Sequence, residues 1–175
     1  MVSLEVAAIL LSGIGISASL VYYANVLRNT NKQRMTQLAM NLSNILISPE
    51  NSINSIKLLS YKWDDFEDFR RKYDSTANPE QFSIRWNQWR LYDHLGYMLH
   101  LGLVDVESLY HIIGGYNILS LLEKFETIIL EQRRFYEEPD WFIWLEHLAQ
   151  EISKYRVKRG LPKNLANPDV YPKEF

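Results

Sequence analysis

Residues 6–27 read VAAILLSGIGISASLVYYANVL and carry no charged side chain. As a helix, these 22 residues span roughly 33 Å, close to the thickness of a bilayer's hydrocarbon core. Ten of them are Ile, Leu or Val. On an insertion scale the ten contribute on the order of −3 to −6 kcal/mol, offset by Ser12, Ser17, Ser19, Asn25 and two glycines. The flanks agree with a span. Tyr22 and Tyr23 stand near its C-terminal end, where amphipathic rings favour the headgroups. Arg28, Lys32 and Arg34 follow, and the next acid is Glu50, whereas the other flank holds only Glu5. This asymmetry predicts a single-pass helix in the cell membrane, N-terminus outside and C-terminal side cytoplasmic. Only a few residues would then cross. A cleaved signal peptide would want a basic start, an interfacial helix a charged face, and a buried core helix a shorter uncharged run.

Ala8, Ser12, Gly15 and Ser19 recur at four, three and four, so they share one helix face. Small residues let helices approach closely in lipid. The expectation is a packing face for a protein partner or a second copy, set against ordinary span composition.

Beyond the span the apolar residues recur at helical spacing and no strand pattern stands out. The fold class expected is all-α: one N-terminal transmembrane helix (1–27), a compact bundle of about five or six helices (28–160) and an extended tail (161–175). Residues 28–47 continue the first helix, with Met35, Leu38, Leu42 and Ile45 as a stripe. Ser48-Pro49 breaks it, and a short helix follows at 50–61. Trp63, Phe66, Phe69 and Tyr73 mark one side of the next. Asn78-Pro79 starts a long helix over 79–101, with Phe82, Trp86, Trp89, Tyr92, Leu95 and Leu99 inward and Gly102 as its C-terminal cap. Asp105 caps the following helix. Gly114-Gly115 breaks the chain before another at 116–135, with Ile118, Leu121, Leu122, Phe125, Ile128 and Ile129 apolar. The last helix is expected to begin among Glu137, Glu138, Pro139 and Asp140 and to stop at Gly160, with Lys154, Arg156, Lys158 and Arg159 loading its end.

Composition narrows the function classes. With 19 basic and 21 acidic residues the net charge is −2, which argues against a general nucleic-acid binder. The absence of cysteine excludes disulfides, thiolate metal sites and a thiol nucleophile. No cofactor fingerprint occurs, and neither does a nucleophile elbow or a Walker loop. Two histidines pair with a carboxylate one turn away, Glu107 with His111 and His147 with Glu151. Neither pair has the spacing of a di-metal bundle or a zinc protease motif, so support of the helix is the plainer role. Asp93-His94 lacks a third catalytic member, and His94 is read as a buried, hydrogen-bonded histidine. Asp64, Asp65, Glu67 and Asp68 read as a solvated first helical turn, with docking of a basic partner as the alternative. No catalytic, cofactor or metal residue is assigned.

The opening LEVAAILLSGIGISASLVYYANVLRNTNKQRMTQL, together with WDDFEDFRRKY, FETIILEQRR and the Trp-rich last helix, resembles an uncharacterised prokaryotic family of single-span membrane proteins. That family is a domain of unknown function, so the resemblance implies a fold and a location but no activity. Three functions fit this reading. The first is an interaction or accessory subunit of a membrane-associated complex. The second is a membrane-tethered enzyme with an unrecognised site, for instance around His94 or Glu107/His111. The third is a regulator or sensor of lipid or a cytoplasmic ligand.

Overall fold

The computed structural model describes residues 3–162, with the backbone alone for 4–11, 35, 39 and 116. Among the described residues there are seven α-helices and no strand: α1 (Leu4–Leu46), α2 (Pro49–Leu59), α3 (Phe66–Tyr73), α4 (Pro79–His100), α5 (Val106–Ile113), α6 (Gly115–Tyr136) and α7 (Ile143–Lys158). The all-α expectation therefore holds. Two compact units divide the chain, Met1–Asn41 and Leu42–Phe175.

The first unit consists of α1 up to Asn41. Every side chain from 12 to 29 is exposed, including Ile14, Leu20 and Tyr22 at 64–66%. The hydroxyls of Ser17 and Ser19 donate to the carbonyls of Gly13 (2.9 Å) and Gly15 (2.8 Å). Such back-bonding satisfies a hydroxyl within its own helix. Among the described residues no helix is long and apolar enough to cross a membrane. Described side chains begin at Ser12, and 12–27 covers only about 24 Å of helix. The remainder of the expected span, with Ala8 of the small-residue face, lies outside the described side chains.

The second unit opens with the last turn of α1. Leu42 and Leu46 are both 8% exposed, whereas Ile45, expected to face inward, is 52% exposed. Inward positions here follow a spacing of four, and Ile45 falls off that line. Met35, in the same stripe, lies outside the described side chains.

Local capping chemistry sets most of the boundaries. The side chains of Ser48, Asp65, Asn78 and Asp105 accept hydrogen bonds from the amides of Asn51 (3.1 Å), Asp68 (2.8 Å), Gln81 (3.2 Å) and Ser108 (2.8 Å). Each satisfies an amide that its helix leaves without a partner. At the end of α4, Gly102 adopts φ 67° and the Leu103 amide donates to the Met98 carbonyl at 3.0 Å. That left-handed closure favours glycine.

The start of α7 departs from expectation. The acids around Pro139 do not begin it: 137–142 is irregular and the helix starts at Ile143. Glu137 and Phe142 hold left-handed backbone at φ 56° and 60°, and Phe142, at the cap position, offers no side-chain acceptor. The acceptor comes from α4 instead. Asp93 Oδ1 receives the amides of Trp144 and Leu145, each at 3.0 Å. A carboxylate 51 residues away in sequence thus replaces a local cap.

Helices α4 and α7 form the most extensive pair. Their closest approach is at Gly96, where a Cβ would lie 1.8 Å from the Trp144 carbonyl oxygen. Around this pair the core is aromatic. Trp89 is fully buried, with ring centroids 5.3 Å from Phe125 and 5.2 Å from Phe142, both edge to face. Phe125 also stacks on Trp63 at 5.1 Å.

Candidate functional site

The residues singled out in the sequence do not converge. Tyr22 and Tyr23 are exposed neighbours on α1, rings edge to face at 5.7 Å, and Arg28, Lys32 and Arg34 are exposed on the same helix. Ser12, Gly15 and Ser19 are exposed as well.

Of the histidines, His94, His100 and His111 are exposed, so the buried role expected for His94 is not found. Its neighbour Asp93 turns inward to cap α7. The site suggested around Glu107 and His111 is an exposed helix face. Glu151 pairs with Lys154 at 2.6 Å rather than with His147. His147 instead lies 6.0 Å from His100 and 5.9 Å from Trp144, centroid to centroid. No group of three metal-ligating side chains occurs among the described residues.

In the acidic turn at the start of α3, Asp64, Asp65 and Glu67 are exposed as expected, and Asp68 alone departs from the solvated patch. Asp68 is only 6% exposed. It accepts from the Asp64 amide at 3.1 Å, from Lys72 at 2.5 Å and from Arg71. The hydrogen bond from Lys72 leads the causes that lower its pKa to about 2.

Two polar features, neither assigned from the sequence, lie on the inward face of α4. The first surrounds Arg85, which is fully buried. Its guanidinium sits 4.8 Å from the Trp89 ring and 5.0 Å from those of Phe69 and Phe82. Its hydrogen bonds are long, 3.4 Å to Gln132 Oε1 and 3.5 Å to the Tyr73 carbonyl, and Nε has no partner. Burial lowers its pKa to about 10, against the attraction of Asp74. Tyr61 stacks on Tyr73 at 4.1 Å, and burial raises the Tyr61 phenol to about 12. The rings supply cation–π attraction where no carboxylate pairs. This centre ties α3, α4 and α6 together.

The second is a recess of about 240 Å³ lined by Leu46, Asn51, Ser52, Ser55, Ile56, Leu59, Tyr92, Ile113 and Asn117. It is part-enclosed and carries no acidic or basic side chain. Behind it Gln88, 3% exposed, donates from Nε2 to Ser55 Oγ (3.1 Å) and, shared between two acceptors, to Asn51 Oδ1 (2.9 Å) and the Asn51 carbonyl (3.2 Å). Gln88 Oε1 is buried without a partner. Lys124 Nζ donates to the carbonyl of Leu59, one of the lining residues, and burial lowers its pKa.

A signal for burial of Arg85 and Gln88, though not for the recess, was present in the sequence. Arg85 and Gln88 stand at helical spacing from Tyr92 and Leu95, in phase with the apolar stripe. Polar side chains at inward positions of a helix mark a buried polar centre. Compared with family models, with curated proteins and with solved structures, the chain matches none of them.

Proposed function

We propose that this protein is a single-pass membrane protein whose helical domain serves as an interaction or accessory subunit on the cytoplasmic side. The observation that carries the reading is the uncharged stretch at 6–27, which is long enough to cross a bilayer, with Arg28, Lys32 and Arg34 after it. In support, Ile14, Ile16, Leu20, Val21 and Leu27 are 62–66% exposed. So many large apolar side chains on one helix call for lipid or a partner. Ser17 and Ser19 have their hydroxyls bonded within the helix, which lowers the cost of placing them in hydrocarbon. Tyr22 and Tyr23 would lie at the headgroups. The resemblance to single-span proteins of unknown function implies the same arrangement. The small residues Ser12, Gly15 and Ser19 offer a face for a second helix, from a partner or another copy. For the domain, a subunit role rests on the absence of a convergent catalytic set among the described residues.

Membrane fractionation tests the anchor. The wild-type chain is expected to pellet with membranes and to resist a carbonate wash, and recovery in the soluble fraction would remove the reading. Because the chain has no cysteine, Ser3→Cys and Ser75→Cys report topology without background. An impermeant thiol reagent applied to intact cells should label the first and spare the second. Mild-detergent extraction tests the subunit role. A stoichiometric protein partner is expected, and recovery of the chain alone would defeat that half of the proposal.

A further inference from the structure

The recess between the end of α1 and helices α2, α4, α5 and α6 has a hydrogen-bonding inventory that selects a ligand class. Asn51 is engaged on both sides of its amide, donating to the Leu46 carbonyl at 2.9 Å and accepting from Gln88. Ser55 Oγ accepts from Gln88, which leaves its own proton to be donated. Asn117 donates from Nδ2 to the Ile113 carbonyl at 3.2 Å, which leaves Oδ1 to accept. Ser52 Oγ donates to the Ser48 carbonyl at 3.1 Å and keeps its lone pairs. The unspent capacity is therefore mixed: the Ser55 hydroxyl proton and a second Nδ2 proton on each of Asn51 and Asn117 remain to be donated, beside several acceptors, set among Leu46, Ile56, Leu59 and Ile113 and the ring of Tyr92.

A charged ligand is disfavoured. No acidic or basic side chain lines the recess, and a buried ion without a counter-charge is costly. The nearby Lys124 ammonium, bound to the Leu59 carbonyl, disfavours a cation further. A hydroxyl matches the inventory, because one group both donates and accepts. A molecule with several hydroxyls on a carbon frame presents C–H faces to the leucines, isoleucines and tyrosine. Size sets the upper bound. The recess of about 240 Å³ holds the liquid volume of about eight waters, at roughly 30 Å³ each. That is below the usual range for drug-sized ligands, about 300–1,000 Å³.

We propose that this recess is a binding site for a small neutral polyol. The inference does not depend on the membrane reading. Together with it, the domain becomes a ligand-responsive one. Gln88 is a positioning residue here: its three bonds hold Asn51 and Ser55 in place from behind the lining.

The test uses the full chain in detergent micelles, with the isoleucine and leucine methyls labelled for NMR. Glycerol, xylitol and myo-inositol are titrated in turn. Thermal shifts are avoided, because polyols at high concentration stabilise any fold by exclusion from its surface. At least one of the three is expected to give saturable, millimolar shifts centred on the methyls of Ile56, Leu59 and Ile113. Ser55→Leu and Asn117→Leu fill the recess from opposite walls and should each weaken that binding at least about tenfold. Asn117→Leu carries the test if Ser55→Leu does not fold. Shifts that never saturate with any probe mean a recess that holds water only, and overturn the proposal. So do saturable shifts that survive both substitutions.

Discussion

In α1, Ile14, Ile16, Leu20 and Val21 are 62–66% exposed, while Ile118, Phe125, Ile129 and Leu145 in the second unit are all fully buried. Both groups are aliphatic or aromatic residues on helices, so apolar content alone does not distinguish them. What differs is what surrounds each apolar group in sequence. In 6–27 no charge interrupts the apolar residues, and the face they leave is filled by small residues rather than charged ones. In α6 and α7 they form one stripe, and charged residues take the opposite face. A helix apolar all round needs an apolar solvent or partners on every side, whereas a striped one completes its burial within a single domain.

Leu20→Arg strains this contrast most. It is expected to release the protein from the membrane fraction, since a charge near the centre of a span costs about 2.5–3.5 kcal/mol on the insertion scale. It should leave the unfolding midpoint of the 42–162 helices unchanged. A drop in that midpoint would show that the apolar helix belongs to the domain's own core. Trp89→Ala tests the other side, with an expected loss of about 3–5 kcal/mol in chemical denaturation and no change in membrane partition. Gly96→Ala should cost about 1–3 kcal/mol or more, because the new methyl meets the Trp144 carbonyl and α4 must move off α7. A neutral result would mean that the two helices are not in close contact. Asp93→Ala removes the acceptor for two amides at the start of α7 and should cost about 0.5–2 kcal/mol, with the earliest amide exchange appearing at Trp144 and Leu145.

The smallest effect is a pH dependence. Asp68 has a folded pKa of about 2, below the value of about 3.9 for a free carboxyl. The unfolded chain therefore binds more protons in that interval, and stability contributed by Asp68 is complete above pH ~4 and is lost as pH falls toward 2. Asp68→Asn should flatten the acid limb of a melting-temperature profile between those values. An unchanged limb would assign the acid sensitivity to other carboxylates.

Much of the helical frame was legible without coordinates, because its punctuation is local. Ser48, Asp65, Asn78 and Asp105 precede their helices and bond amides three residues on. Gly102, Gly114 and Gly160 stand at left-handed backbone after theirs. Where the punctuation is not local, the reading failed. The acids before Ile143 look like a helix start, yet the acceptor that caps α7 comes from α4. The acidic turn of α3 is solvated at Asp64, Asp65 and Glu67, as its composition suggests, but nothing in its neighbourhood signals that Asp68 is covered. His94 lies beside the inward line of α4 and is exposed, and Asp93 takes the inward contact. The recess could not have been found from spacing at all, since its walls come from five helices.

By itself the sequence determined the helical type of the elements and the local caps of four of them, and it defined an uncharged stretch long enough for a bilayer. These follow from hydrogen bonds and periodicities that close within a few residues. The tertiary structure alone decided which polar side chains are buried: Arg85 among three rings, Gln88 behind Asn51 and Ser55, Asp93 on the amides of α7. Burial depends on what a distant segment places over a residue. A polar group accepts it only when that segment also brings a partner, and neither condition is written within one turn of a helix.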